Sequence, residues 1–328
     1  MQTSPTIRRV LSKPCLVRSM AVTESGRWGV ILAGGDGTRL LPLTRRIAGD
    51  DRPKQFCTIL GDGTLLQQTQ RRVATIVSAP NIMFVLTQKH ERFYEDHVSE
   101  MHPSRLVIQP RNQGTAAAIL YSLLRLEELD PAGTVAFFPS DHHFENDAAL
   151  AKQINLAFSA AESRPELVVL LGVVPEAPEV EYGWIQPDRR VADSLPGSLL
   201  RVNRFWEKPS PAVASALMGN GCLWNSFVMV GAVAAFLTLM RRCLATLVES
   251  FETIRSSFLT AKEAEAVHTL YSAIPAINFS ERVLASSAPN LSVLRSHGLG
   301  WSDLGDASRV LSIVRRQAAT ITLRLDLV

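Results

Sequence analysis

Apolar residues in this chain fall into two kinds of run that take turns. Trp28 to Ala33, Ile82 to Leu86, Leu106 to Ile108, Thr134 to Phe138 and Leu167 to Val174 are short and densely apolar, and read as buried strands. Between them, Leu65 to Val77, Lys89 to Met101, Thr115 to Leu129 and Asp147 to Ser163 carry a helical pattern. Gln67, Gln68, Arg71 and Arg72 give the first of these helices a polar face. Strands alternating with helices of this length predict an α/β fold: a mostly parallel central sheet with helices on both faces.

From Val180 the texture changes. Tyr182 to Ile185, Val202 to Trp206 and Leu223 to Val230 read as strands separated by loops. Helical patterns then run from Ala232 to about Leu284, a last strand covers Leu291 to Arg295, and a last helix runs from Ala307 to Arg316. This predicts a smaller α+β part after the first sheet. The expected organisation is an extension at 1–26, a catalytic domain at 27–316 divided near 175/176, and a tail at 317–328. The extension is basic (Arg8, Arg9, Lys13, Arg18) and has no acid before Glu24. A transit peptide and a late start at Met20 are alternatives to the disordered segment expected here. There is no internal repeat and no low-complexity block.

Composition narrows the class. At 328 residues, with 46% hydrophobic and 20% charged residues, the chain can bury a large core. A net charge of +3 is too weak to argue for nucleic acid or an anionic membrane surface. The apolar run Phe227 to Met240 is too short to span a bilayer and contains Gly231. Cys15, Cys57, Cys222 and Cys243 form no Cys-x-x-Cys, so neither a zinc site nor a disulfide framework is expected, and a cytoplasmic location fits.

The chemistry starts at the first strand, which breaks into Gly34-Gly35-Asp36-Gly37-Thr38 with Arg39 at the rim and Lys54 a short loop later. A strand entering a glycine turn makes a nest of backbone N–H groups that suits phosphate. A Walker A loop is absent. A dinucleotide fingerprint would need glycine where Leu40 stands, and Pro42 spoils the long helix that should follow. In parallel sheets ligands sit beyond the carboxyl ends of the strands. That rule gathers Gly34 to Arg39, Gln109 to Thr115 and Asp141 on one edge. Each also has a bland reading: a tight turn, a helix cap, a turn former.

Leu32-Ala33-Gly34-Gly35-Asp36-Gly37-Thr38-Arg39-Leu40, with Pro53-Lys54-Gln55-Phe56, resembles the sugar-1-phosphate nucleotidyltransferases. Pro-Lys-Gln-Phe is similar to their mannose-1-phosphate guanylyltransferase branch, also called GDP-mannose pyrophosphorylases. Here the loop 46–52 is a few residues longer than the family spacing. The resemblance implies a Rossmann-like nucleotidyltransferase fold. It assigns Leu32, Ala33, Gly34, Gly35, Gly37, Thr38, Arg39, Gln109, Gly114 and Thr115 to the nucleotide. Ser140-Asp141 and Ser302-Asp303 resemble the family's two metal aspartates, implying Mg²⁺ at Asp141 and Asp303. Glu181-Tyr182-Gly183-Trp184-Ile185, Glu207-Lys208-Pro209 and Trp224-Asn225-Ser226 resemble Gly-Tyr-Gly-Tyr-Ile, Glu-Lys-Pro and Trp-Asn-Ser-Gly, and so imply a sugar-phosphate pocket of Gly183, Glu207, Lys208 and Asn225. Phe227 stands where relatives have a small residue.

The implied catalytic set is Arg39, Lys54, Asp141 and Asp303. The implied reaction joins an NTP, GTP by preference, to a sugar 1-phosphate, mannose 1-phosphate by preference. Glucose 1-phosphate with UTP or dTTP, and a sensor that binds without turnover, are the alternatives. No nucleic-acid or membrane partner is expected, and a homodimer is left open. His142 and His143 lack a cysteine or third histidine at ligand spacing and read as polar loop residues.

Overall fold

Alternation within the first strand sets the layers. In β1 (Arg27–Leu32) neighbouring Val30 and Ile31 are both fully buried, so both faces of the strand are covered. A strand apolar on both sides needs helices on both. The computed structural model describes residues 26–188 and 199–325 and shows that arrangement. The chain runs through α1 (Leu41–Ala48), α2 (Leu65–Ala74), β2 (Ile82–Thr87), α3 (Glu91–Val98), β3 (Leu106–Gln109), α4 (Gly114–Leu129), β4 (Thr134–Pro139), α5 (Asp147–Ser163) and β5 (Val168–Val173). Val30, Val85, Val107 and Phe137 pack with α4 on one face. Ile31, Phe84, Ala136 and Phe138 pack with α2 and α5 on the other.

The second part adds β6 (Gly183–Pro187), β7 (Leu199–Glu207), α6 (Pro211–Gly219), β8 (Leu223–Ala232), α7 (Val233–Cys243), α8 (Ala245–Glu252), α9 (Glu263–Ala273), β9 (Leu291–Ser296) and α10 (Ala307–Leu325). The sheet order is β3-β2-β1-β4-β8-β5-β9-β7-β6. β1 is parallel to β2 and β4, β2 to β3, and β5 to β9. The pairings β4–β8, β5–β8, β6–β7, β6–β8 and β7–β9 are antiparallel. Because β6 pairs back onto β8, the strands β8, β5, β9, β7 and β6 close into a ring.

The expectation of a mostly parallel sheet therefore holds only for the β3-β2-β1-β4 half. An apolar run such as Leu223 to Val230 reports burial but not direction, which the path of the whole chain decides. Other differences are local. Pro42 sits in the first turn of α1, where its missing N–H costs nothing, and Gly49 (φ 77°) ends that helix after two turns. Arg72 is buried, its guanidinium against Asp147 and over the Phe144 ring, and so leaves the polar face assigned to it. Helix α6 forms where the apolar pattern predicts no element, and α10 runs past Arg316 to Leu325. The expected extension at 1–26 lies outside the described residues save for Gly26, as does Cys15. Among the described residues no helix is long and apolar enough to cross a membrane.

Candidate active site

β1, β2, β3 and β4 run parallel, so Leu32, Thr87, Gln109 and Pro139 end on one edge. A cavity of about 630 Å³ opens there. Of the residues singled out above, Leu32, Gly34, Gly35, Gln109, Gly114 and Thr115 line it from the first half. Asp141, after β4, also lines it from the first half, and Gly183, Glu207, Asn225 and Asp303 line it from the second. Ala33, Gly37, Thr38, Arg39, Lys54 and Lys208 do not.

The glycine turn is held from below. Gln55 is buried and donates to the carbonyls of Ala33 (3.2 Å) and Gly35 (2.7 Å), and Thr87 donates to that of Gly34 (2.9 Å). A β-carbon on Gly34 would lie 2.6 Å from Gln109 Nε2, whereas one on Gly35 would meet open space. Gly37 takes φ 60° and passes close to the Lys54 backbone, a conformation glycine adopts freely. Ala33 is committed to the sheet through Val85. Arg39 points across the mouth to Glu181 (3.0 Å), and Lys208 approaches the same carboxylate at 4.0 Å.

Lys54, expected as a second point charge beside the glycine turn, is turned inward. It is buried, and its Nζ donates to the carbonyls of Asp303 (2.5 Å) and Leu304 (3.2 Å) and pairs with Asp141 at 3.2 Å. Burial alone would raise the Asp141 carboxyl; the Lys54 ammonium, helped by His142, outweighs it and holds the group below its usual value. Asp303 does not cap α10, a task that Asp306 performs by accepting from Ser308 and Arg309. Both hydrogen bonds to the Asp303 carboxylate, from Gly305 N–H (2.8 Å) and Arg309 (2.7 Å), go to Oδ1. Oδ2 of Asp303 is left without a donor among the described residues. Two hard carboxylates facing one cavity, one with an unused oxygen, fit a cation such as Mg²⁺, which takes few carboxylates and keeps waters. Among the described residues no group of three or more His, Cys, Asp or Glu side chains could hold a metal, so this reading rests on the pair.

His142 and His143 lie on the loop between β4 and α5, as expected, but are largely covered. His142 lines the cavity beside Trp301, and burial pushes its ring below the usual imidazole value. His143 is buried, with burial pushing it down to about 4.

On the far side Gly183 pairs with Glu207, and a β-carbon there would meet Phe205, Glu207 and Asn225 within 3.3 Å. The glycine thus lets these groups converge. Burial raises the Glu207 carboxyl; Lys208 opposes this and Glu281 adds to it. Asn225 accepts from Phe227 N–H at 3.1 Å. Four described non-glycine residues have positive φ, and three of them, Lys208 (45°), Phe227 (60°) and Leu304 (49°), belong to this region. Such strain persists where surrounding structure enforces it, often at functional sites.

Several contributors carried no readable signal. The stretch 276–281 lines the cavity and is stapled to the Gln109–Thr115 loop. Thr115 Oγ1 accepts from Phe279 N–H (2.9 Å), and Ile277 exchanges backbone bonds with Gln113 and Ala116. Thr115 thus spends its hydroxyl on the protein. Tyr271 donates to Gln109 Oε1 (3.2 Å). These contacts are mostly backbone, which side-chain patterns do not reveal.

The cleft thus has a glycine turn at one end, Glu207 and Asn225 at another, and Asp141, backed by Lys54, in its wall. Residues 28–319 match the family described as Nucleotidyl transferase, and the chain belongs to it. It is 27% identical over 292 residues to xanthan biosynthesis protein XanB of Xanthomonas campestris pv. campestris, covering 87% of this chain and 58% of that one. It is 26% identical over 289 residues to a mannose-1-phosphate guanylyltransferase of Escherichia coli, covering 87% and 59%. The chain therefore spans less than two thirds of the length of these relatives. A crystal structure described as mannose-1-phosphate geranyltransferase, from Thermus thermophilus, superposes with a TM-score of 0.73 at 28% identity, covering 85% of this chain and 76% of that one.

Proposed function

We propose that this protein joins an NTP to a sugar 1-phosphate, giving an NDP-sugar and pyrophosphate, and that its substrates are GTP and α-D-mannose 1-phosphate. The observation that carries this reading is the convergence of Gly34, Gln109, Asp141, Asp303, Glu207 and Asn225 on one cavity from six separate segments. The E. coli and Thermus relatives, by their names, act on mannose 1-phosphate, which favours that sugar.

Residues 27–175 would hold the nucleotide and 176–316 the sugar phosphate. A phosphate oxygen of the sugar phosphate attacks the α-phosphorus in line. The new P–O bond forms as the bond to the β-phosphate oxygen breaks, and pyrophosphate leaves with the electron pair. No general base is needed, because a phosphate monoester is already anionic at neutral pH. Catalysis is then positioning and charge neutralisation. The glycine turn and Arg39 receive the triphosphate, Gln109 reads the base, Lys208 meets the sugar phosphate, and Glu207 and Asn225 take sugar hydroxyls. Lys54 orders Asp141 and the Asp303 backbone rather than touching phosphate directly. Asp141 and Asp303 would hold Mg²⁺, which when bound supplies positive charge at the phosphates.

The test is pyrophosphate release from four NTPs against a panel of sugar 1-phosphates, with and without Mg²⁺. Asp141→Asn and Asp303→Asn should each lower kcat about 100-fold or more, the scale of removing a charge-stabilising group. Normal turnover in either variant would remove it from the metal site. Tight ligand binding with no pyrophosphate released would make the protein a sensor instead.

A further inference from the structure

Arg309 lies in the first turn of α10, and its side chain is only 13% exposed. Its guanidinium donates to Asp303 Oδ1 (2.7 Å) and Glu179 Oε2 (2.8 Å), and its Nε lies 3.4 Å from Asp306. The same group sits 4.4 Å over the ring of Tyr182, which lines the cavity. Burial works against its charge, but Asp303 and the other partners keep it protonated. A planar fork held by partners from two segments, 179–182 and 303–306, has little freedom to move.

A strut joining α10 to the sheet would account for the bonds to Glu179 and Tyr182 alone. Three further facts concern Asp303. Its main-chain carbonyl is gripped from the other side by Lys54. Its side-chain bonds fall on one oxygen only. A β-carbon on Gly305 would lie 2.7 Å from Asp303 Oδ2 and 2.8 Å from Arg309 Nη1, so a glycine keeps the space around the pair clear. The residue is fixed at backbone and carboxylate while one oxygen stays unclaimed.

We propose that Arg309 is a positioning residue that holds Asp303 with Oδ2 presented to the cleft as a one-oxygen ligand for a divalent cation. This rests on the nucleotidyl-transfer reading above. Partners of this kind restrict a ligand's rotamers before the cation arrives, so that less order has to be imposed on binding.

The experiment titrates Mn²⁺ alone into the full chain and follows the free ion by electron paramagnetic resonance. Wild type is compared with Arg309→Met, Arg309→Lys, Glu179→Gln and Asp303→Asn, each checked by its thermal transition. Arg309→Met should weaken Mn²⁺ binding about tenfold or more, the usual cost of losing such a partner. Arg309→Lys should recover only part, because a point charge cannot fork between Asp303 and Glu179. Glu179→Gln should give a smaller loss. In turnover assays kcat should fall in the same order, with KM for the sugar phosphate little changed. Undiminished Mn²⁺ affinity in folded Arg309→Met overturns the proposal and leaves a strut. If that variant does not fold, wild-type affinity in both Arg309→Lys and Glu179→Gln overturns it. A wild type that binds no Mn²⁺ overturns this proposal, whereas the reading beneath it stands or falls on pyrophosphate release.

Discussion

Two residues are larger than their counterparts in the segments that this sequence resembles, and each has a measurable effect. Phe227 has φ 60°, in the left-handed region where a β-carbon costs about 1–2 kcal/mol. Its ring lines the cavity and meets Phe279 edge-on at 6.3 Å. Phe227→Gly relieves the strain and gives up half-buried apolar cover, two effects of similar size and opposite sign, so the melting temperature should move little. The sugar end should widen, raising kcat/KM for N-acetylglucosamine 1-phosphate relative to mannose 1-phosphate about tenfold or more, within the range a pocket wall can command. An unchanged ratio would mean that the ring does not border the sugar. Glu181 stands at the glycine that opens the resembling segment, and holds Arg39 and Lys208 at the mouth. Both pairs are half-exposed, so each is weak. Glu181→Gln should lower KM for both substrates about two- to fivefold at low salt, with the gain fading as salt screens the charges. Equal KM values at low salt would show that neither cation waits for phosphate.

Among elements, the strands were the most legible in sequence and the junctions the least. Val30, Ile31, Phe84 and Phe137 announce buried strands because both faces of the sheet are apolar. Their carboxyl ends then locate the cleft, since parallel strands must finish together. The direction of β8 was hidden, because Leu223 to Val230 is equally apolar whichever way it runs. Lys54 was visible as a cation but not as a buried one, since Asp141 and Asp303 are 87 and 249 positions away. In sequence, the stretch 276–281 is only the end of a helical region, because Ile277 and Phe279 act through their backbones. The staple between that stretch and α4 can be tested directly. Thr115→Val keeps the shape and removes the acceptor of Phe279 N–H, so it should cost about 1–3 kcal/mol for an unpaired donor, read by urea denaturation. It should also weaken NTP binding more than sugar-phosphate binding, because the loosened loop carries Gln109. Loss of stability with both affinities intact would confine Thr115 to packing.

For the whole molecule, the cavity draws lining residues from Leu32 to Asp303, so no contiguous fragment contains the site. The two halves share one sheet through β4–β8, with core on both faces, and Pro139, Asn225 and Phe227, beyond one end of that pairing, line the cleft. The closure of β6 onto β8 has a consequence beyond the site. An ordinary open sheet has two outer edges at which backbone N–H and C=O groups can recruit a foreign strand. Here one end of the sheet is tied back into itself through Trp184 and Ile185 of β6, and among the described residues the strand left with one partner is β3, four residues long. So short a margin is a poor template, and strand-to-strand aggregation of the native protein has little to start from.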